Sequence, residues 1–196
     1  MYNLNTQEKI RNYILSSSEI VRSSVLLAPN IEKSIKAIVK CLRKGNKVVL
    51  FGNGGSAADA QHIAAEFIGR FKINRKSLPA IALSNNSSTI TAISNDFSFD
   101  SVFSRQCEAI VKSDDVVIGI STSGNSKNVQ KGIIESKKKN AITVGLLGNN
   151  GGIIGKMVDI PIIVKSTSTP KIQEVHRVLS HIICEEVERN LAKKVD

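Results

Sequence analysis

The sequence predicts an α/β protein of one domain, with a doubly wound sheet of five parallel strands, flanking helices and two further helices at the start. Three observations lead there. Short apolar, β-branched runs recur along the chain, of the kind a strand buried on both faces of a parallel sheet requires. Amphipathic stretches of helical period separate them. Two of the runs, Lys47–Phe51 and Asp115–Ile120, end directly in loops rich in glycine and hydroxyl side chains, and ligands of open α/β sheets bind at strand carboxyl ends.

Taken in order, Thr6 to Leu27 and Asn30 to Lys44 carry apolar residues at helical spacing, and Gly45 closes the second segment. Strands are expected at Lys47 to Phe51, Ala80 to Leu83, Asp115 to Ile120, Ile142 to Leu147 and Asp159 to Val164. Helices fill the gaps at Ala57 to Arg70, Ser87 to Ile93, Phe99 to Lys112 and Asn125 to Lys139. Asn149-Asn150-Gly151-Gly152 reads as a turn before a short helix, and Lys165 to Pro170 as a polar connector into a last helix, Pro170 to Lys193. At 196 residues the chain suits one domain better than two. Residues 1–45 form the leading helical pair, and residues 46–196 the α/β core with its final helix.

Lys and Arg number 27 against 17 Asp and Glu, a formal charge of +10. The basic residues are scattered, and the one tight run, Lys137-Lys138-Lys139, ends a helix, where cations suit the dipole. With 4% aromatic residues and no Trp, stacking platforms for single-stranded nucleic acid are not expected. Cys41, Cys107 and Cys184 are far apart and form no C-x-x-C pair, so they read as reduced core thiols. The first residues show no apolar signal-peptide region and no run approaches membrane-span length, so a cytoplasmic protein without membrane contact is expected.

Ser121-Thr122-Ser123-Gly124-Asn125-Ser126 packs four hydroxyls and a glycine between a strand and a helix. That exceeds what an N-cap needs and reads as an anion cradle, with hydroxyl donors beside the unpaired N–H groups of a helix start. Upstream, Gly52-Asn53-Gly54-Gly55-Ser56 leads into Ala57 and a helix. Gly52, Gly54 and Ala57 loosely satisfy a dinucleotide fingerprint, but the next strand ends in Ser84-Asn85-Asn86-Ser87-Ser88 without the ribose-binding acid. On the following helix His62 and Glu66 share a face, one turn deeper than the loop. On the last helix Gln173 and His181 lie about 80° apart around the axis and roughly 12 Å along it, so both pairs can border one pocket. A histidine and a carboxylate beside a phosphate loop suit acid/base work or a zinc site.

These residues resemble a known family. Gly52-Asn53-Gly54-Gly55-Ser56-Ala57, the loop Ser121 to Ser126, Asn95-Asp96-Phe97 and Ile172-Gln173-Glu174-Val175-His176 are similar in kind and order to the sugar isomerase (SIS) fold, and within it to the phosphoheptose isomerases. The resemblance implies conversion of D-sedoheptulose 7-phosphate to D-glycero-D-manno-heptose 7-phosphate through an ene-diol, the first step towards nucleotide-activated heptose for bacterial lipopolysaccharide, capsule or related glycans. It implies that Ser121, Thr122, Ser123 and Ser126 hold the phosphate. Asn53, Gly54, Gly55 and Ser56 would line the sugar, with Asn95, Asp96, Glu66 and Gln173 as further substrate contacts. Glu66 would be the base next to the carbonyl, and His181 would move protons between the two oxygens. His62, Glu66, Gln173 and His181 would hold zinc, one ion per subunit, and the chain would form a homotetramer with sites at subunit boundaries.

Other residues have plainer expectations. Asp59 suits the start of a helix, His176 packs or faces solvent, and Arg70 contacts substrate or makes an intersubunit salt bridge. Asp114 and Asp115 simply precede a strand. A rival reading of another class is a non-catalytic SIS protein that binds a bacterial replication initiator. That group lacks the acid and the histidine at the positions of Glu66 and His181 and carries a bulky charge in the serine loop, so Glu66, His181 and Ser123 favour an enzyme. A sugar-sensing regulatory module would ride on a DNA-binding domain, and the first 45 residues show no helix-turn-helix pattern.

Overall fold

The computed structural model describes residues 5–192. β1 (Val48–Gly52) is buried throughout, as a central strand must be, and β3 (Val116–Ser121) lies beside it with Gly52 opposite Ile120. The sheet has five parallel strands in the order β2-β1-β3-β4-β5, with β2 at Ala80–Ala82, β4 at Ile142–Gly148 and β5 at Ile160–Val164. Chain order reverses between β1 and β3, so the connections leaving them diverge and open a crevice at their carboxyl ends.

Alternation along the strands separates two cores. Val48 and Leu50 face a layer made by α2 (Ala28–Arg43), α3 (Gly55–Ile68) and α8 (Thr169–Leu191). Val49 and Phe51 face α5 (Val102–Ile110), α6 (Lys127–Lys138) and the single turn α7 (Gly152–Gly155). On that second side Phe51 stacks on Phe103 with ring centroids 5.0 Å apart. Gly132 of α6 makes room for it, since a Cβ there would lie 2.8 Å from the Phe51 ring.

The expected elements are present, with shifted ends that have local causes. Thr6 to Leu27 is α1 (Thr6–Ser23) followed by a 3-10 turn over Ser24–Leu27. The Ser23 and Ser24 hydroxyls both donate to the Ile20 carbonyl, at 2.9 and 2.8 Å, competing with the helical ladder there. α1 itself opens on a reciprocal cap, Asn5 Oδ1 accepting from the Glu8 N–H and Glu8 Oε2 from the Asn5 N–H. α4 (Ser87–Asp96) runs past the expected end at Ile93, and the expected Phe99 to Lys112 helix is a 3-10 turn over Phe99–Ser101 followed by α5. The expected last residue of α8, Lys193, lies outside the described residues. Asp115 does more than precede β3: it is buried, accepts the Lys47 and Lys112 N–H groups at 3.0 and 2.8 Å, and pairs with Lys47 Nζ at 2.6 Å.

Cys41, Cys107 and Cys184 are free and buried, as expected, and burial pushes their thiols up to about 11, 12 and 12. Leu50, fully buried at the middle of β1, tests the first core. Leu50→Ala is expected to lower unfolding free energy by about 2–5 kcal/mol, read as an earlier urea midpoint at unchanged slope.

Candidate active site

Two loops meet at the crevice. After β1 the chain turns at Gly54, whose φ of 55° and ψ of −123° lie outside what an L side chain readily adopts, and Gly55 starts α3. A Cβ on Gly55 would strike the Gln173 amide, so glycine lets α3 begin directly against α8. Asn53 does not present a free amide. It exchanges two hydrogen bonds, of 2.8 and 2.9 Å, with buried Asn128 on the first turn of α6. Ser56 is nearly buried.

The second loop follows β3. Ser121 and Ser126 hydroxyls are 3.0 Å apart, Thr122 is half-buried and Ser123 exposed. Ser126 occupies the N-cap of α6 without a side-chain cap bond, so neither its hydroxyl nor the first N–H groups of the helix are committed to each other. Gly124, with φ of 68°, approaches the Gly151 carbonyl so closely that no side chain fits. Asn149 Nδ2 donates to the Thr122 carbonyl at 3.0 Å, and Asn125 Oδ1 accepts the Ile153 N–H at 3.0 Å. The loop is thus braced by the turn after β4. An open cavity of about 950 Å³ lies beside it, its lining including Ser123, Asn125, Asn149, Asn150 and Lys165. Lys165 is a cation that sequence reasoning passed over, because nothing local marks it as facing the loop.

Further along, α3 and α8 bring three predicted residues together. His62 Nε2 lies 3.0 Å from His181 Nε2 and 3.3 Å from Glu66 Oε1, with Glu66 partly exposed. The Phe71 ring packs against His181 with centroids 5.6 Å apart. Burial, then the Arg177 guanidinium, hold the His62 pKa below its ordinary value, so one ring nitrogen is an acceptor at neutral pH. Asp59, expected at the start of a helix, is buried on the α8-facing side and pairs with Arg177 at 2.6 Å. His176 is a packing histidine, fully buried, with Nε2 3.0 Å from the Leu147 carbonyl.

The other predicted residues are not drawn into this cluster. Gln173 stays at the start of α3 beside Gly55, roughly two turns of α8 above His181. Glu66 lies eleven residues, about three turns, down α3 from Gly55, deeper than the one turn expected. Asn95 and Asp96 are exposed at the end of α4, bonded to each other at 2.9 Å, and Asp96 lines a separate groove with Asn85, Phe97 and Arg105. Arg70 is exposed, with no hydrogen bond or ion pair among the described residues.

The donor types of His62, Glu66 and His181 suit zinc. Among the described residues no three His, Cys, Asp or Glu side chains stand at metal-cage spacing. Two ring nitrogens 3.0 Å apart are at hydrogen-bond distance, a few tenths of an ångström closer than a tetrahedral zinc would hold them at about 2.0–2.1 Å per bond.

A family model described as the SIS domain matches residues 12–148. The chain is 53% identical over 168 residues to the phosphoheptose isomerase of Geobacter sp. (strain M21), covering 86% of this chain and 88% of that protein. It is 46% identical over 185 residues to that of Geotalea daltonii, covering 94% and 96%. Among solved structures, phosphoheptose isomerase from Francisella tularensis superposes with a TM-score of 0.92 at 34% identity, over 95% of this chain and all (100%) of that one.

The environment of His62 sets a titration. Of the three histidines, His62 and His176 are expected to protonate with midpoints below the ordinary 6.5, read from C2–H proton shifts against pH. A folded-state pKa below the unfolded one favours the fold above about 6.5 and loses that contribution as pH falls from there, so stability should decline with acidification through this window.

Proposed function

The chain belongs to the phosphoheptose isomerase family of SIS-domain proteins and is a sugar-phosphate isomerase; from that premise we propose that it interconverts D-sedoheptulose 7-phosphate and D-glycero-D-manno-heptose 7-phosphate, the first step towards nucleotide-activated heptose for bacterial surface glycans. The observation that carries the proposal is the meeting of Glu66 and His181, from two distant helices, around His62. The initiator-binding alternative gains nothing from that cluster.

In the proposed reaction the hydroxyls of Ser121, Thr122, Ser123 and Ser126 and the first N–H groups of α6 hold the phosphate. Glu66 takes the proton from C1 of the ketose, and the electrons of that bond form the C1–C2 double bond of an ene-diol. His181 delivers a proton to the former carbonyl oxygen on C2 and removes the one on the C1 oxygen. Glu66 then returns its proton to C2, leaving the aldehyde at C1. A carboxylate and a histidine are the side chains that general acid–base chemistry uses most. Zinc, if held by His62, Glu66 and His181, would supply polarisation of the carbonyl when bound; Gln173, the fourth expected ligand, stands beside Gly55 and outside that cluster.

The active assembly in this proposal is a homotetramer with sites at subunit boundaries. Glu66 is eleven residues along α3 from Gly55, roughly 16 Å of axis, whereas a seven-carbon phosphate spans roughly 10 Å from C1 to phosphorus at ordinary bond lengths. The phosphate loop of one chain and the acid/base cluster of another can meet where those of a single chain do not. α1 has no buried residue, and Ile10, Ile14, Leu15, Val25 and Leu26 are all more than half exposed. Such a stripe calls for a partner. A cytoplasmic setting agrees with the reduced thiols, and no helix among the described residues is long and apolar enough to cross a membrane.

Incubation with sedoheptulose 7-phosphate should yield the aldose by NMR, and Glu66→Gln and His181→Ala should each lower kcat by about 10²-fold or more. No turnover by the unaltered protein, with or without added zinc, would overturn the reading. Light scattering should give a particle of four 21.2 kDa protomers, and Ile14→Asp should shift it to smaller species.

A further inference from the structure

We propose that Arg75 and Glu188 are positioning residues for the isomerisation, locking the last turn of α3 to α8 and thereby setting Glu66 against His181, with Phe71 as the pad behind the His181 ring. The proposal rests on the reading of Glu66 and His181 as the acid/base pair.

Glu66 sits in the last turn of α3, where carbonyls have no helical partner. The usual glycine solution is not used: Gly69 has φ of −76°, outside the left-handed region a Schellman turn needs. Arg75 folds back from the following loop instead. Its Nη2 donates to the Glu66 carbonyl at 2.9 Å, and its Nη1 to the carbonyls of Phe67 and Lys76 at 2.9 and 3.1 Å. The side chain is only 5% exposed, and its Nε lies 3.0 Å from Glu188 Oε1, close enough for charge pairing though not aligned as a hydrogen bond.

Glu188 completes the clamp from the other helix. It is buried, and its carboxylate accepts the N–H groups of Phe71, Lys72 and Ile73 at 2.9, 2.7 and 2.8 Å. Burial opposes its ionisation, but these donors and Arg75 outweigh it and hold its carboxyl below the ordinary range. Glu188 follows His181 by seven residues, two turns on nearly the same face of α8. One ion pair therefore joins the backbone of Glu66 to the helix of His181, and the loop it gathers carries the Phe71 ring onto the His181 ring.

A buried ion pair contributes little net stability over an apolar pair of the same shape, and a loop joining α3 to β2 does not need one. What it adds is direction. The planar fork of arginine fixes the Glu66, Phe67 and Lys76 carbonyls in one rigid arrangement, which lysine's freely rotating ammonium does not reproduce, and a displacement of about 1 Å at a reacting group can cost about 10²-fold in rate.

The test uses Arg75→Lys, Glu188→Gln and Phe71→Leu in the full chain, each first shown to be folded at the assay temperature by circular dichroism. Expected are a fall in kcat of about 10- to 100-fold with KM within about threefold, and a displaced C2–H signal of His181, assigned by its loss in His181→Ala, beside an undisplaced His176 signal. A pair that only stabilised the fold would lower the melting temperature but leave kcat per folded molecule and the His181 signal as they were. That result in the folded variants overturns the proposal. If Arg75→Lys and Glu188→Gln do not fold, Phe71→Leu, which keeps the hydrogen bonds, decides by kcat and KM alone, because loss of the neighbouring aromatic ring displaces the His181 signal in any case. If the unaltered protein turns over no sugar phosphate, the catalytic reading fails, and an undisplaced His181 signal in the variants separately shows that Arg75 positions nothing.

Discussion

The rest of the molecule depends on the reversal of strand order between β1 and β3. Both strands are buried on both faces, so neither can present side chains to a ligand along its length. What they can present is their carboxyl ends, and because the chain leaves them in opposite directions, the loops after Gly52 and after Ser121 are forced to share one crevice. Helices α3 and α6 begin there, each without a side-chain cap, so two positive helix ends converge where a phosphate is expected. The groups proposed for acid/base work come from elsewhere, since a buried sheet offers none, and α3 carries Glu66 away from the crevice towards α8.

Much of this was legible in the sequence, for a physical reason: strand runs, glycine turns and hydroxyl loops are local, and a backbone that must turn at Gly54 or Gly124 announces itself in the residue chosen. The five strands, their order along the chain and the hydroxyl-rich loop between β3 and α6 follow from such signals. The pairs that reach across the fold do not. Arg75, in the polar run Lys72-Ile73-Asn74-Arg75-Lys76, looks like surface until Glu188 is seen beneath it. Asn128 looks like an ordinary first-turn residue until it meets Asn53, and Asp59 like a helix-start charge until Arg177 closes on it. Each depends on a contact more than seventy residues away, and no local pattern specifies one.

Element ends were misplaced for smaller reasons of the same kind. Serine hydroxyls competing for the Ile20 carbonyl end α1 early, while the polar tail Ser94-Asn95-Asp96 stays helical despite a composition that favours stopping. The depth of Glu66 matters more for the proposed reaction. The cluster of His62, Glu66 and His181 lies well along α3 from the loops at the crevice, which agrees with the expectation of sites at subunit boundaries.

The bracing of the phosphate loop has a consequence for selectivity. Gly124 against Gly151, Asn149 on the Thr122 carbonyl and Asn125 on the Ile153 N–H leave the loop ordered before any ligand arrives. If the loop holds phosphate as proposed, binding there loses little chain entropy, and the anchor alone does not distinguish one phosphomonoester from another. In the proposed reaction, discrimination among sugars then falls to the far end of the ligand, where chain length decides whether C1 reaches the Glu66 carboxylate, and the distance between anchor and base becomes a ruler.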